Sequence, residues 1–249
     1  MFVMTIDQRG SRKGADLVPE LLAGLRDIPV VLPFERSVGD EIQGVLDDPR
    51  SVVEVAMRAL RTGHWYVGIG IGPVGLPLPA SPREGSGAAF VLARRAVDRA
   101  KKAGERVPLS VQAEEMVESR GAGTPGTDPG GFRGGHAAAA EAVLVLVGGL
   151  VRRRTVAEWR VLDALNEAGS GRQIDAAKAL DISPQAVSKA ILRSGRQEEQ
   201  AGRGAAELLL AHADRRFRPA RPGVQAGVQP VAAGLSARLA TLGTELEDE

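Results

Sequence analysis

The stretch that most constrains this chain runs from residue 172 to 195, RQIDAAKALDISPQAVSKAILRSG. A helix over 173–180 places Ile174, Ala177 and Leu180 on one side, and the small Ala177 lets a second helix cross closely. Asp181 tolerates the left-handed conformation that a sharp turn needs. Ile182 then fills the space between the helices. Ser183 is a good N-cap and Pro184 suits the first helical position. The second helix runs to about Arg193, with Val187 and Ile191 as its buried i, i+4 pair. Caps, turn and buried positions agree on a helix-turn-helix.

That register leaves Ser183, Gln185, Ala186, Ser188, Lys189 and Arg193 facing outward. Gln bonds adenine bidentately, and Ser bonds bases or phosphates. Lys189 and Arg193 suit phosphates. The expected partner is therefore double-stranded DNA; the alternative is a helical hairpin that touches no nucleic acid. A preceding helix over 156–168 is capped by Thr155, carries the stripe Trp159, Leu162 and Leu165, and ends at Gly169-Ser170-Gly171. Residues 197–213 read as a further helix through Ala205, Leu208, Leu209 and Ala213, so no strand-turn-strand wing is expected. Arg152-Arg153-Arg154 reads either as a clamp on a nucleic-acid backbone or as a solvated connector.

Charge supports this placement. Residues 1–151 carry a net −1, residues 152–221 a net +5 and residues 222–249 a net −3, within an overall +1. Positive charge thus gathers around the helix-turn-helix, as phosphate binding requires. There are no cysteines, which excludes disulfides and thiolate metal sites, and the three histidines are scattered. The N-terminus lacks a signal-peptide pattern, and the most apolar stretch, 137–151, is short for a bilayer. A cytoplasmic protein without membrane insertion is expected.

The first half reads as an α+β domain. Strands are expected at 2–6, 29–34, 38–46, 65–74 and 106–111, and helices at 16–25, 49–61 and 88–103. This order contains a βαββαβ core. An α+β domain over 1–120 is then followed by a Gly/Pro-rich loop at 121–136, an all-α region with the helix-turn-helix at 137–216 and a tail at 217–249. The apolar helix from Ala137 is either a buried connector or a dimer-forming helix.

Two short motifs stand out in the first half: Asp7-Gln8-Arg9-Gly10-Ser11 at the end of the first strand, and Gly39-Asp40-Glu41 in the adjacent strand pair. In a βαββαβ core these strands are neighbours, so Asp7 and Asp40 converge. Paired carboxylates suit Mg²⁺, which commonly bridges to substrate phosphates. The turn at Gly10 and Ser11 offers backbone N–H groups to a phosphate. The alternative is that each Asp simply forms a turn.

The segments DQRGSR, VGDEIQGVL, VGIGIGP and GAAFVLARRAV resemble the SatD family over about residues 1–105, and a helix-turn-helix behind that domain is similar to what many members carry. The same segments resemble, more distantly, the class III nucleotidyl cyclase and GGDEF fold. That likeness implies a cyclase-like domain in which Asp7 and Asp40 bind metal, Arg36 and Glu84 meet a nucleotide base, and Arg95, kept from the cyclase helix pattern, binds the ligand. Arg36 and Glu84 pairing with each other is the alternative. The asparagine of the cyclase helix pattern is replaced here by Val91, which has no donor for ribose or phosphate; one missing donor of this kind costs about 10²–10³ in rate. The expectation is a DNA-binding transcriptional regulator, a homodimer, whose N-terminal domain senses a small nucleotide with Mg²⁺ or dimerises without catalysis. The alternative is an active cyclase-like enzyme using Asp7, Asp40 and a divalent metal.

Overall fold

The computed structural model describes residues 1–11, 14–114, 135–167 and 172–217, which lie in one unit, Met1–Arg218. The expected terminator at 169–171, the tail beyond Phe217 and nearly all of the Gly/Pro-rich loop lie outside the described residues. The class is α+β. The elements are β1 (Phe2–Gln8), α1 (Val18–Gly24), β2 (Leu32–Arg36), β3 (Glu41–Leu46), α2 (Pro49–Thr62), β4 (Trp65–Ile71), α3 (Ala88–Lys101) and β5 (Leu109–Ala113). Helices α4 (Gly135–Arg153), α5 (Val156–Glu167), α6 (Gln173–Leu180), α7 (Pro184–Ser194) and α8 (Arg196–Arg215) follow. A 3-10 turn at Pro82–Glu84 interrupts the loop expected before α3.

The five strands form one sheet in the order β2-β3-β1-β4-β5. Neighbours are antiparallel except β4 and β5, which are parallel. The first four strands with α1 and α2 make a split βαβ unit, which is the βαββαβ order read from the sequence. Strands β2, β3 and β5 each start three residues later than expected. Pro108 directly precedes β5, and proline donates no ladder hydrogen bond.

Alternation in the strands divides the core between the two faces of the sheet. One face presents Phe2, Met4 and Ile6 of β1, Ile42 and Leu46 of β3, and Ile69 and Ile71 of β4. Helix α2 covers it with Val52, Val55, Ala56 and Ala59. Its ends are well defined: Asp48 Oδ1 accepts from the Arg50 N–H at 3.0 Å, and Gly63 closes it at φ +76°. The same apolar cluster includes Leu144, Val147 and Val151 of α4 and Ala206, Leu210 and Ala213 of α8. The sequence reading grouped α4 and α8 with the helix-turn-helix; their buried faces instead complete the core under the sheet. On α8 the inward positions are Ala206, Leu210 and Ala213, while Ala205 and Leu208 are exposed.

At 19 residues, α4 is long and apolar enough to cross a membrane by length and composition, contrary to the shorter span expected from sequence. One side of it packs beneath the sheet. Helices α5, α6 and α7 form a separate small core from Val161, Leu162, Leu165, Ala176, Ala177 and Val187.

Candidate functional site

Two regions carry the residues singled out from the sequence. The first is the α6–turn–α7 unit. Asp181 has φ 52°, the left-handed conformation the turn needs, and is the only non-glycine residue with positive φ among the described residues. Ser183 caps α7, its Oγ accepting from the Ala186 N–H at 3.1 Å, and Pro184 occupies the first turn. At the start of α5, Thr155 Oγ1 accepts from the Glu158 N–H at 3.3 Å and Glu158 Oε2 accepts from the Thr155 N–H at 2.8 Å, a reciprocal capping box.

Ser183, Gln185, Ala186, Ser188, Lys189 and Arg193 are all exposed, and Val187 is buried, as expected. Two apolar positions differ from expectation. Ile174 is 57% exposed and Ile182 is 39% exposed, so neither is a core plug. Ala177 is buried in the small core as expected, with Ala176 beside it. Leu192, which the sequence pattern did not single out, is 79% exposed between Lys189 and Arg193.

The arginine run before α5 is neither a clamp nor a solvated connector throughout. Arg153 is exposed, Arg152 reaches the Arg106 carbonyl at 3.2 Å, and Arg154 is buried.

The second region is the sheet face under α3. Register places Asp7 opposite Glu41, Thr5 opposite Gln43 and Val3 opposite Val45. Thr5 and Gln43 are joined by a buried bond, Gln43 Nε2 donating to Thr5 Oγ1 at 3.1 Å. Asp7 forms an ion pair with Lys101 at 2.8 Å, and Glu41 pairs with Arg94. Arg94 and Lys101 are seven residues apart, so α3 presents both on one side. Burial pushes the Asp7 carboxyl above its ordinary range; Lys101 opposes the shift and the nearby Asp40 adds to it. Burial also raises Glu41, against the Ser37 hydroxyl and Arg94.

The other residues singled out from the sequence are placed as follows. Arg94, not Arg95, turns toward the carboxylates, and Arg95 is exposed. Arg36 pairs with Asp16 and donates to the Gly39 carbonyl at 2.7 Å, so its partner is not Glu84. Glu84 is exposed in the 3-10 turn. Gly10 makes a left-handed turn after β1 at φ 71°, followed by the half-buried Ser11. Asp7 and Asp40 do come close enough to interact electrostatically. The donor set does not fit a divalent ion as it stands, because Lys101 already holds Asp7 and Arg94 holds Glu41. No group of three or more potential metal ligands occurs among the described residues. His136 and His212, scattered in sequence, stack with centroids 5.3 Å apart.

No family model, curated protein or solved structure matches this chain.

Proposed function

We propose that the protein is a DNA-binding transcriptional regulator whose helix-turn-helix reads DNA and whose N-terminal domain is a non-catalytic sensing or dimerisation domain. The observation that carries this reading is α7 itself. It is capped at Ser183, set at a sharp turn by Asp181, and exposes Gln185, Ser188, Lys189 and Arg193 on its free side. A helix presented in this way suits the major groove, with polar side chains to base edges and cations to phosphates. In a homodimer, two such helices meet half-sites about one helical turn apart, roughly 34–36 Å.

The split βαβ order and the carboxylates at the ends of β1 and β3 support the likeness of the first domain to the SatD family and, more remotely, to nucleotidyl cyclases. The ion pairs on Asp7 and Glu41, together with Val91 in place of a donor, favour a domain without catalysis.

Titration of the full chain against genomic DNA fragments, followed by anisotropy at several salt concentrations, tests the reading. Affinity should fall linearly with log salt. Lys189→Ala with Arg193→Ala should lower that slope by about 2, one for each phosphate that no longer meets a cation. An unchanged slope and affinity in the double variant overturns it.

A further inference from the structure

Helices α2, α5 and α8 enclose a cleft of about 470 Å³ where the helix-turn-helix unit meets the sheet layer. Arg58, Arg61, Arg154, Arg196 and Arg203 line it, against the carboxylates of Glu54 and Glu199. Most of these charges are matched. Arg58 pairs with Asp27 and Glu54, Arg61 with Asp163, and Arg203 with Glu54 and Glu199. Arg196 is the exception: it donates to the neutral Asn166 Oδ1, at 3.2 Å. The cluster therefore holds one more guanidinium than carboxylates.

Arg154 adds an independent observation. Its side chain is 2% exposed. Its Nε donates to the Ser194 carbonyl at 2.8 Å, and its Nη1 pairs with Glu199 at 2.6 Å. Its Nη2 is buried with no hydrogen-bond acceptor among the described residues. The guanidinium lies over the Trp159 ring at 4.8 Å, and an aromatic face is a weak acceptor. A buried donor on a charged group is costly to leave unpaired, and such a group in a folded protein calls for an explanation.

We propose that this cleft binds a small oxyanion, with Arg154 Nη2 and Arg196 as its donors. Phosphoryl and carboxylate groups share the chemistry, since both accept forked bonds from guanidinium. Nη2 is closed to solvent, so a ligand that reaches it must displace part of what covers it. Because α2 belongs to the sheet core and α5 to the helix-turn-helix core, a ligand bridging them biases how the two are held. This coupling to DNA rests on the regulator reading; the binding itself does not.

The test uses the full chain without DNA, titrated with sodium pyrophosphate, inorganic phosphate and citrate, with sodium chloride matched for ionic strength. The expected result is a saturable rise in unfolding temperature, roughly 5 °C or more at a hundredfold excess over Kd, with a change in tryptophan fluorescence. Arg154→Lys, which removes the fork, and Arg196→Gln should each weaken binding at least tenfold. Arg196 is only half-buried, so its variant keeps the test open if Arg154→Lys fails to fold. Preference for pyrophosphate or for citrate assigns the phosphoryl or the carboxylate source. No saturable shift beyond the chloride control, or unchanged affinity in Arg196→Gln, overturns the site. Anion binding without any DNA binding overturns the regulator reading and leaves the site standing. DNA affinity that the bound anion does not alter overturns the coupling alone.

Discussion

Gly68 and Gly70 show how single residues place the candidate face. A Cβ built on Gly70 falls 2.1 Å from the Ala89 carbonyl oxygen and 2.4 Å from the Ala93 nitrogen. One on Gly68 falls 2.3 Å from the Val97 nitrogen. Backbone cannot yield as a side-chain end can, so α3 lies this close to β4 only because neither residue has a side chain. That approach brings Arg94 and Lys101 onto Glu41 and Asp7. Gly70→Ala should therefore destabilise the fold by about 1–3 kcal/mol or more, the usual range for overpacking. Gly24, with nothing within 4 Å of its Cβ, is the control, and Gly24→Ala should be neutral or stabilise by about 0.4–1 kcal/mol. Urea denaturation of both variants checks this, and equal effects would remove the case for close approach.

The alternating glycines were visible in the sequence as part of a strand; their reason was not, because it lies in a helix some way further along the chain. The same distance explains Arg94 and Arg95. Adjacent arginines on a helix point about 100° apart, and which one meets a carboxylate depends on how the helix is seated. A sequence offers both equally.

At the scale of elements, ends were more legible than faces. The caps at Asp48, Thr155 and Ser183 are local chemistry between near neighbours, and those at Thr155 and Ser183 stand where the sequence placed them. Buried faces depend on what arrives from elsewhere. Apolar identity pointed to Ile174, which is exposed, while Ala177 is buried as its size suggested and Ala176 joins it. Charge contacts between elements were illegible for the same reason. Arg58 on α2 reaches Asp27 and the Gly24 carbonyl near α1, and shares Glu54 with Arg203 of α8. The Arg58 bond holds the Asp27 carboxyl below its ordinary range. Burial works against Glu54, but Arg58 and Arg203 together hold it low as well. Lowered carboxylates contribute stability above the unfolded pKa, about 4 for these groups, and lose it as pH falls through their folded values. Arg58→Met should thus be less stable than the parent at pH 6–7, modestly so because the pairs are half in solvent. The two stability curves should converge as pH drops below about 4. Urea midpoints measured across pH check it, and a constant gap would show that Arg58 acts by packing alone.

For the whole molecule, the division read from the sequence at 121–136 follows composition, whereas the core follows contact. Leu144 and Val147 of α4 and Leu210 of α8 are buried under the sheet with Phe2, Met4 and Ile69. The α-amino group of Met1 pairs with the buried Asp214 of α8, joining the start of β1 to the last described helix. Among the described helices after β5, α5, α6 and α7 share a core apart from the sheet, and it is small. A fragment of residues 135–217 would thus expose the sheet-facing sides of α4 and α8, while residues 1–114 would expose the sheet face those helices cover. Removing even one buried leucine side chain typically costs about 2–5 kcal/mol, a large share of the roughly 5–15 kcal/mol that holds a domain folded. Each fragment alone should therefore lack a cooperative thermal transition. Mixing the two should restore one, because complementary apolar faces remain the strongest available partners for each other. Calorimetry on the separate and mixed fragments decides it. A sharp transition in 135–217 alone would mean that α4 and α8 belong with the helix-turn-helix after all, and that the anion cleft lies between independent domains rather than inside one folding unit.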